Sequence, residues 1–200
     1  MRLEHRCELG DTVCMEKLNL TNHLLIAMPS MEDPNFAKTV TLICEHNDEG
    51  AMGIVINRKT DIGLDEVYEQ MKIESSAEAK KDQMVHIGGP VQEQRGFILH
   101  DGGNAYDSTM KITDDLFITT SRDILEEMAQ GKGPEHSLIA LGYAGWSPGQ
   151  LEDEVLNNAW LTSPANNDIL FEMPNDRRWE AAAKMVGVDI HQISGQAGHA

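Results

Sequence analysis

The chain has 200 residues, 16 Lys and Arg against 33 Asp and Glu, a formal net charge of −17, and 40% apolar residues. That length favours one domain that buries roughly 70% of its unfolded surface, and the regular apolar runs exclude a disordered chain. The charge opposes duplex nucleic acid, whose phosphates are held by clustered Lys and Arg; here the largest basic clusters are the pairs Arg58-Lys59, Lys80-Lys81 and Arg177-Arg178.

Residues 1–17 read as a polar tail without periodicity, expected to be disordered, with Met1 and Met15 both possible starts. They contain no apolar stretch of the signal-peptide kind. Leu24 to Met28 is a short strand ended by Pro29, and Asp33-Pro34-Asn35 predicts a single helical turn. Thr39–His46 and Ala51–Arg58 are apolar, β-branched runs joined by the four residues Asn47–Gly50, a hairpin pattern. Leu64, Val67, Tyr68 and Met71 recur at helical spacing. After a polar stretch, Met84–Gly89 and Arg95–His100 read as strands joined by residues 90–94, and Leu116–Thr119 as another.

Thr120-Ser121-Arg122-Asp123 matches a capping box that opens a helix carrying Ile124, Leu125, Met128 and Ala129 on one face. Ser137–Tyr143 is a buried strand. Ser147-Pro148-Gly149-Gln150 is a second capping box with its own short helix, Ile169–Phe171 a short strand, and Trp179, Ala182, Ala183 and Val186 the last helical stripe. The longest apolar run, Leu138 to Trp146, is far short of the ~18 residues that span a bilayer, so no membrane partner is expected. Seven to nine strands, many adjacent in sequence, with about four helices among them predict an α+β fold. It would be a single compact domain over residues 18–200 with a mixed, mainly antiparallel sheet.

Candidate chemistry is sparse. Gly145-Trp146-Ser147-Pro148-Gly149 matches the G-x-S-x-G nucleophile elbow, but the residue after the serine must supply an oxyanion N–H, and proline has none. Capping of the following helix by the Ser147 hydroxyl is the better expectation. Cys44 and His46, two apart on one strand, would share a face and form a thiol–imidazole pair; packing of a buried cysteine is the plainer reading. Gly88-Gly89-Pro90 followed by Arg95 suits either an anion nest or a tight turn. His23, Glu45, His46, His86 and His100 fall near strand ends without metal-ligand spacing, so no metal is expected. Three cysteines, Cys7, Cys14 and Cys44, form no disulfide framework and fit a reducing cytoplasm. Neither G-x-G-x-x-G nor a Walker A motif occurs, and no cofactor is expected.

Several blocks together carry a resemblance: LLIAMPSMEDPNF (24–36), TVTLICEHNDEGAMGIVINR (39–58), GGPVQEQRGFILH (88–100), TSRDIL (120–125), ALGYAGWSPGQLEDEVLNNAWL (140–161) and the terminal GHA. In this order the chain from about residue 18 resembles the YqgE/AlgH family of uncharacterised bacterial proteins. The resemblance implies a compact α+β domain in a bacterial cytoplasm and a transcriptional-regulator label drawn from a branch linked to alginate production. It carries no agreed catalytic residues. The expected function is therefore a non-enzymatic regulatory or binding protein acting through an unidentified protein or small molecule, without direct duplex contact and with oligomeric state open. The alternative is a hydrolase or thiol enzyme using Ser147 or the Cys44/His46 pair. Glu45, His46, Gly88, Gly89, Arg95, His100 and Trp146 all lie at or near strand ends. They are the candidate functional surface, on the expectation that at least four of the seven line one concavity.

Overall fold

The computed structural model describes residues 18–102 and 106–190; the expectations for the leader and for the C-terminal GHA lie outside them. Ten strands are arranged in the order β10-β1-β2-β3-β9-β6-β8-β7, with β5 also on β9 and β4 on β5. The strands are β1 (His23–Ala27), β2 (Val40–Asn47), β3 (Gly50–Val55), β4 (Lys59–Gly63), β5 (Met84–Ile87), β6 (Val91–His100), β7 (Thr109–Lys111), β8 (Phe117–Thr119), β9 (Ser137–Trp146) and β10 (Trp160–Pro164). The helices are α1 (Leu64–Met71), α2 (Arg122–Ala129), α3 (Gln150–Leu156) and α4 (Asn175–Met185), with a π-helical turn at Asp168–Glu172. All pairings are antiparallel except β5 on β9. The α+β expectation holds, with one strand more than the upper count.

Alternation along the strands sorts the side chains into three cores. Leu24, Ile26, Val40, Leu42, Leu99, Leu138 and Ala140 face a central cluster closed by Ala182 and Ala183 of α4. Their neighbours in sequence face outward into two others. Ile98 and Ile139 meet Leu64 and Tyr68 of α1 and Ile124 and Met128 of α2. Leu25, Ile43, Ala144 and Trp146 meet Leu151 of α3 and Trp160. Both faces of the sheet are thus covered, which is why β1 and β2 read as continuous apolar runs. Burying each Leu or Ile completely contributes roughly 1.5–3 kcal/mol. Arg178 fastens α4 to the sheet, donating to the Ile56 and Met173 carbonyls; Trp179 Nε1 adds a bond to the Ala27 carbonyl at 2.8 Å.

Strand β9 belongs to all three cores because its alternation resets once. Leu138 and Ala140 face the central cluster, and so does Tyr143, three residues further on, while Ala144 and Trp146 face the third. The extra residue is Gly142, whose φ of +72° suits glycine. A Cβ there would stand 2.4 Å from the Gly89 carbonyl oxygen, and one on Gly88 2.3 Å from that of Gly142. The three glycines let two backbones cross at close range.

Five local expectations are corrected. Asn47 pairs with Gly50, so the hairpin loop has two residues rather than four; the Asn47 side chain accepts the Glu49 N–H and tightens the turn. Residues 91–94 are not a connection but the start of β6, which runs from Val91, and β5 and β6 do not pair with each other. They flank β9, β5 opposite Ala140–Leu141 on one edge and β6 opposite the same residues on the other. Ile169–Phe171 is not a strand but lies in the π-helical turn, because the Asn166 side chain accepts the N–H groups of Asp168 and Ile169 and starts a turn. The fourth concerns Ser147. Its carbonyl accepts the Gln150 N–H across Pro148-Gly149, with Gly149 at φ +79°. That is a type II turn with Pro and Gly in their preferred places. The helix starts after it, so the Ser147 hydroxyl is no cap; the other half of the box does form, Ser147 N–H donating to Gln150 Oε1 at 3.0 Å. At α2, likewise, the box is not built: the N-cap Ser121 donates to Asp123 and accepts the Ser108 N–H, and caps no N–H of the helix.

Candidate functional site

Glu45 and Trp146 line one depression of about 500 Å³ beside the β2–β3 hairpin. Arg95 lies in an adjoining groove of about 410 Å³ with Phe97, Met110 and Thr120. Met52 and Tyr143 line both, so the two form one continuous concave surface. The other four candidates are elsewhere. Gly88 and Gly89 are buried against β9, whose backbone occupies the space a ligand would need. His46 is 6% exposed, accepting the Leu20 N–H at 3.0 Å and meeting Glu152 of α3 at 3.2 Å. His100 is 1% exposed at the far end of β6, between the Gly102 carbonyl and Thr119 Oγ1. Three of the seven thus reach the surface formed by these two depressions, not four. Glu45 and Arg95 do not pair: Glu45 accepts from Asn47, and Arg95 donates to Gln92 and Thr120.

The Cys44/His46 pair is not formed either, and the reason lies in the backbone. A bulge between Ile43 and Glu45 leaves Cys44 without a partner on β3 and resets the alternation. Cys44 consequently faces the central cluster, donating to the Leu42 carbonyl, while His46 faces α3 on the other side. Burial pushes the thiol up to about 12, far from a thiolate at neutral pH. Ser147, though exposed, has no imidazole against it among the described residues. Among those residues neither nucleophile considered from the sequence has the base it needs.

The groove has its own chemistry. The Arg95 guanidinium lies 5.5 Å from the Phe97 ring, and Phe97 meets Tyr143 edge-on at 5.6 Å. Two neutral oxygens hold Arg95; no carboxylate neutralises it among the described residues. Met52, Met110 and Ile118 supply adaptable apolar wall. An exposed Arg with half-buried Met and aromatic side chains is the composition of binding surfaces. Glu45 and Glu49 sit at the opposite end, so the surface is positive at one end and negative at the other.

A second constellation was missed from the sequence. His136 Nδ1 lies 2.6 Å from Asp101 Oδ2, and its Nε2 lies 3.2 Å from Glu172 Oε1. Glu135 adds a third carboxylate, with donor atoms of Asp101, Glu135 and His136 within 4.8 Å of one another. The hydrogen bond to the Asp101 carboxylate raises the imidazole above its usual pKa. By contrast, burial pulls His86 and His100 down.

With this geometry in hand, relatedness is decided by the match of residues 24–191 to the AlgH-like family. The chain belongs to that family. It is 58% identical to a UPF0301 protein of Thioalkalivibrio sulfidiphilus, over 91% of this chain and 97% of that protein. It is 52% identical to one of Nitrosococcus oceani, over 90% and 96%. The solution structure of AlgH from Pseudomonas aeruginosa matches with a TM-score of 0.73 at 48% identity, covering 98% of this chain and all of that one. A crystal structure from Corynebacterium diphtheriae shares the fold, with a TM-score of 0.67 at 24% identity. Among the described residues no helix is long and apolar enough to cross a membrane.

Proposed function

We propose that this AlgH-like protein is a regulatory binding protein of the bacterial cytoplasm that acts through contact with another protein. Its groove takes an extended segment of that partner, an apolar residue seated between Met52, Phe97 and Tyr143 and a carboxylate on Arg95. The observation that carries this is the Arg95 guanidinium over the Phe97 ring, itself edge-on to Tyr143, with no carboxylate against it among the described residues. Such a group gains a bidentate, charge-assisted bond on binding at little ordering cost. The three-residue edge strand β7 contributes Thr109 and Met110 to the groove wall, where an extended chain gains backbone partners. A net charge of −17 argues against direct duplex contact, so a transcriptional effect would run through the bound partner.

The test is an array of extended peptides titrated into the full chain, read by the methyl resonances of Met52 and Met110. Peptides with an aromatic or aliphatic residue next to Asp or Glu shift these methyls, and Lys in place of the acid abolishes the shift. Arg95→Ala weakens binding about tenfold or more, as expected for one charged hydrogen bond. Unmoved methyls at millimolar peptide, or a preference for the Lys peptides, would overturn the proposal.

A further inference from the structure

We propose that Asp101, Glu135 and His136 form a binding site for a first-row divalent cation of the Zn2+ or Mn2+ kind. They come from two chain segments that the sheet brings together. Asp101 follows β6, Glu135 and His136 precede β9, and these strands pair at His100 and Ser137. One imidazole and two carboxylates with no sulfur suit borderline cations; Mg2+ and Ca2+ prefer all-oxygen sets. An ion about 2.0–2.2 Å from each donor spreads its ligands over a sphere ~4.2 Å across. Donor atoms already within 4.8 Å of one another reach that sphere by small side-chain rotations. The ring nitrogen facing Asp101, Nδ1, is the one directed at the ion.

The other ring nitrogen supplies the independent observation. Nε2 faces the Glu172 carboxylate at 3.2 Å. A metal-bound histidine needs such an outer carboxylate to fix its tautomer and orientation. Glu172 comes from neither ligand segment; the π-helical turn delivers it, with the preceding Phe171 packed 5.7 Å from the imidazole ring. The support continues behind the ligands. Asp101 Oδ1 accepts the His136 backbone N–H, and Lys80 donates to the Glu135 carbonyl, so both loops are pinned. The His136 side chain is 39% exposed, which leaves a path for the ion and at least one coordination position open to water or a further ligand.

The full chain, stripped with a chelator, is titrated with ZnCl2 and separately with MnCl2, following heat and the His136 ring nitrogens by NMR. The expected result is one ion per chain at this site with a large shift of the His136 Nδ1 resonance. Asp101→Asn and His136→Gln then lose about a hundredfold or more in affinity. Glu172→Gln retains the stoichiometry and loses about tenfold, the signature of an orienting group rather than a ligand. A His136→Gln chain that binds like the wild type would place the ion on other groups, such as Cys7, Cys14, His191 or His199, and would overturn the proposal. So would a His136 Nδ1 resonance unmoved at about 1 mM ion, which leaves an ion-pair network only. Should a variant fail to fold, that wild-type resonance decides alone.

Discussion

Two regions each set carboxylates against an imidazole, and they differ in how far those carboxylates are used. Under α3, Glu154 accepts both indole N–H groups, from Trp146 at 2.9 Å and Trp160 at 2.8 Å, with Gln150 on its other oxygen at 2.9 Å. Glu152 takes His46, whose second nitrogen receives the Leu20 N–H. Both indole rings pack on Phe36, Trp146 tilted against it and Trp160 edge-on. At the β6–β9 ends, three carboxylates surround one half-exposed imidazole. The first region is a completed polar network sealing a core. The second sets three carboxylates around a single imidazole, an imbalance that the proposed cation would offset.

The comparison breaks most easily at Glu154. Glu154→Ala strands two buried indole N–H groups and costs about 3 kcal/mol in urea unfolding, whereas Glu154→Gln, which keeps an acceptor, costs about 1 kcal/mol. A loss under ~1 kcal/mol for the alanine variant would show that the network is not the seal described. Next comes pH. Burial depresses the folded pKa of His100, so the unfolded chain takes up a proton near 6.5 that the folded ring resists. Stability is full above that value and falls as pH drops through it toward the folded pKa. Urea midpoints taken between pH 7.5 and 5.5 decline in the wild type and decline less in His100→Gln; an unchanged slope would sink the assignment.

Smaller effects sharpen the same contrast. Gln150→Ala removes both the acceptor for the Ser147 N–H and the donor to Glu154, and costs about 1 kcal/mol. Glu172→Gln, at a carboxylate 64% exposed, leaves the metal-free stability within about 0.5 kcal/mol. Ser147→Ala changes stability least, within about 0.3 kcal/mol in the same unfolding measurement, because the hydroxyl caps nothing. A loss near 1 kcal/mol there would restore the capping role that the type II turn denies.

What the sequence makes legible follows from local periodicity. The stripes of α1, α2 and α4 are written in spacings of three and four, and the β2–β3 hairpin in two β-branched apolar runs around a polar turn. The strands β4, β7 and β10 are short or polar; β4 and β10 are stabilised by partners distant in sequence, and β7 by the neighbouring strand β8. The resets at Cys44 and Gly142 defeat any argument that counts by twos: Cys44 and His46 obey the same-face rule on paper and face opposite cores in the fold. Of the candidate surface, Glu45, Arg95 and Trp146 were reachable as strand-end residues. Asp101 and His136 were not, because 35 residues separate them and only the pairing of β6 with β9 makes them neighbours. His100, one residue from Asp101 and itself at a strand end, is buried between the Gly102 carbonyl and Thr119.

The reset at Gly142 also bears on how the molecule comes apart. One continuous strand pairs with β3 near its end and with β5 and β6 nearer its start, so neither half of the sheet can detach while β9 stays in place. Opening therefore has to be collective, a single cooperative unit despite three separate cores. In hydrogen exchange the amides of Leu138 to Ala144 should be the slowest in the chain and should share one opening free energy, equal to that of global unfolding.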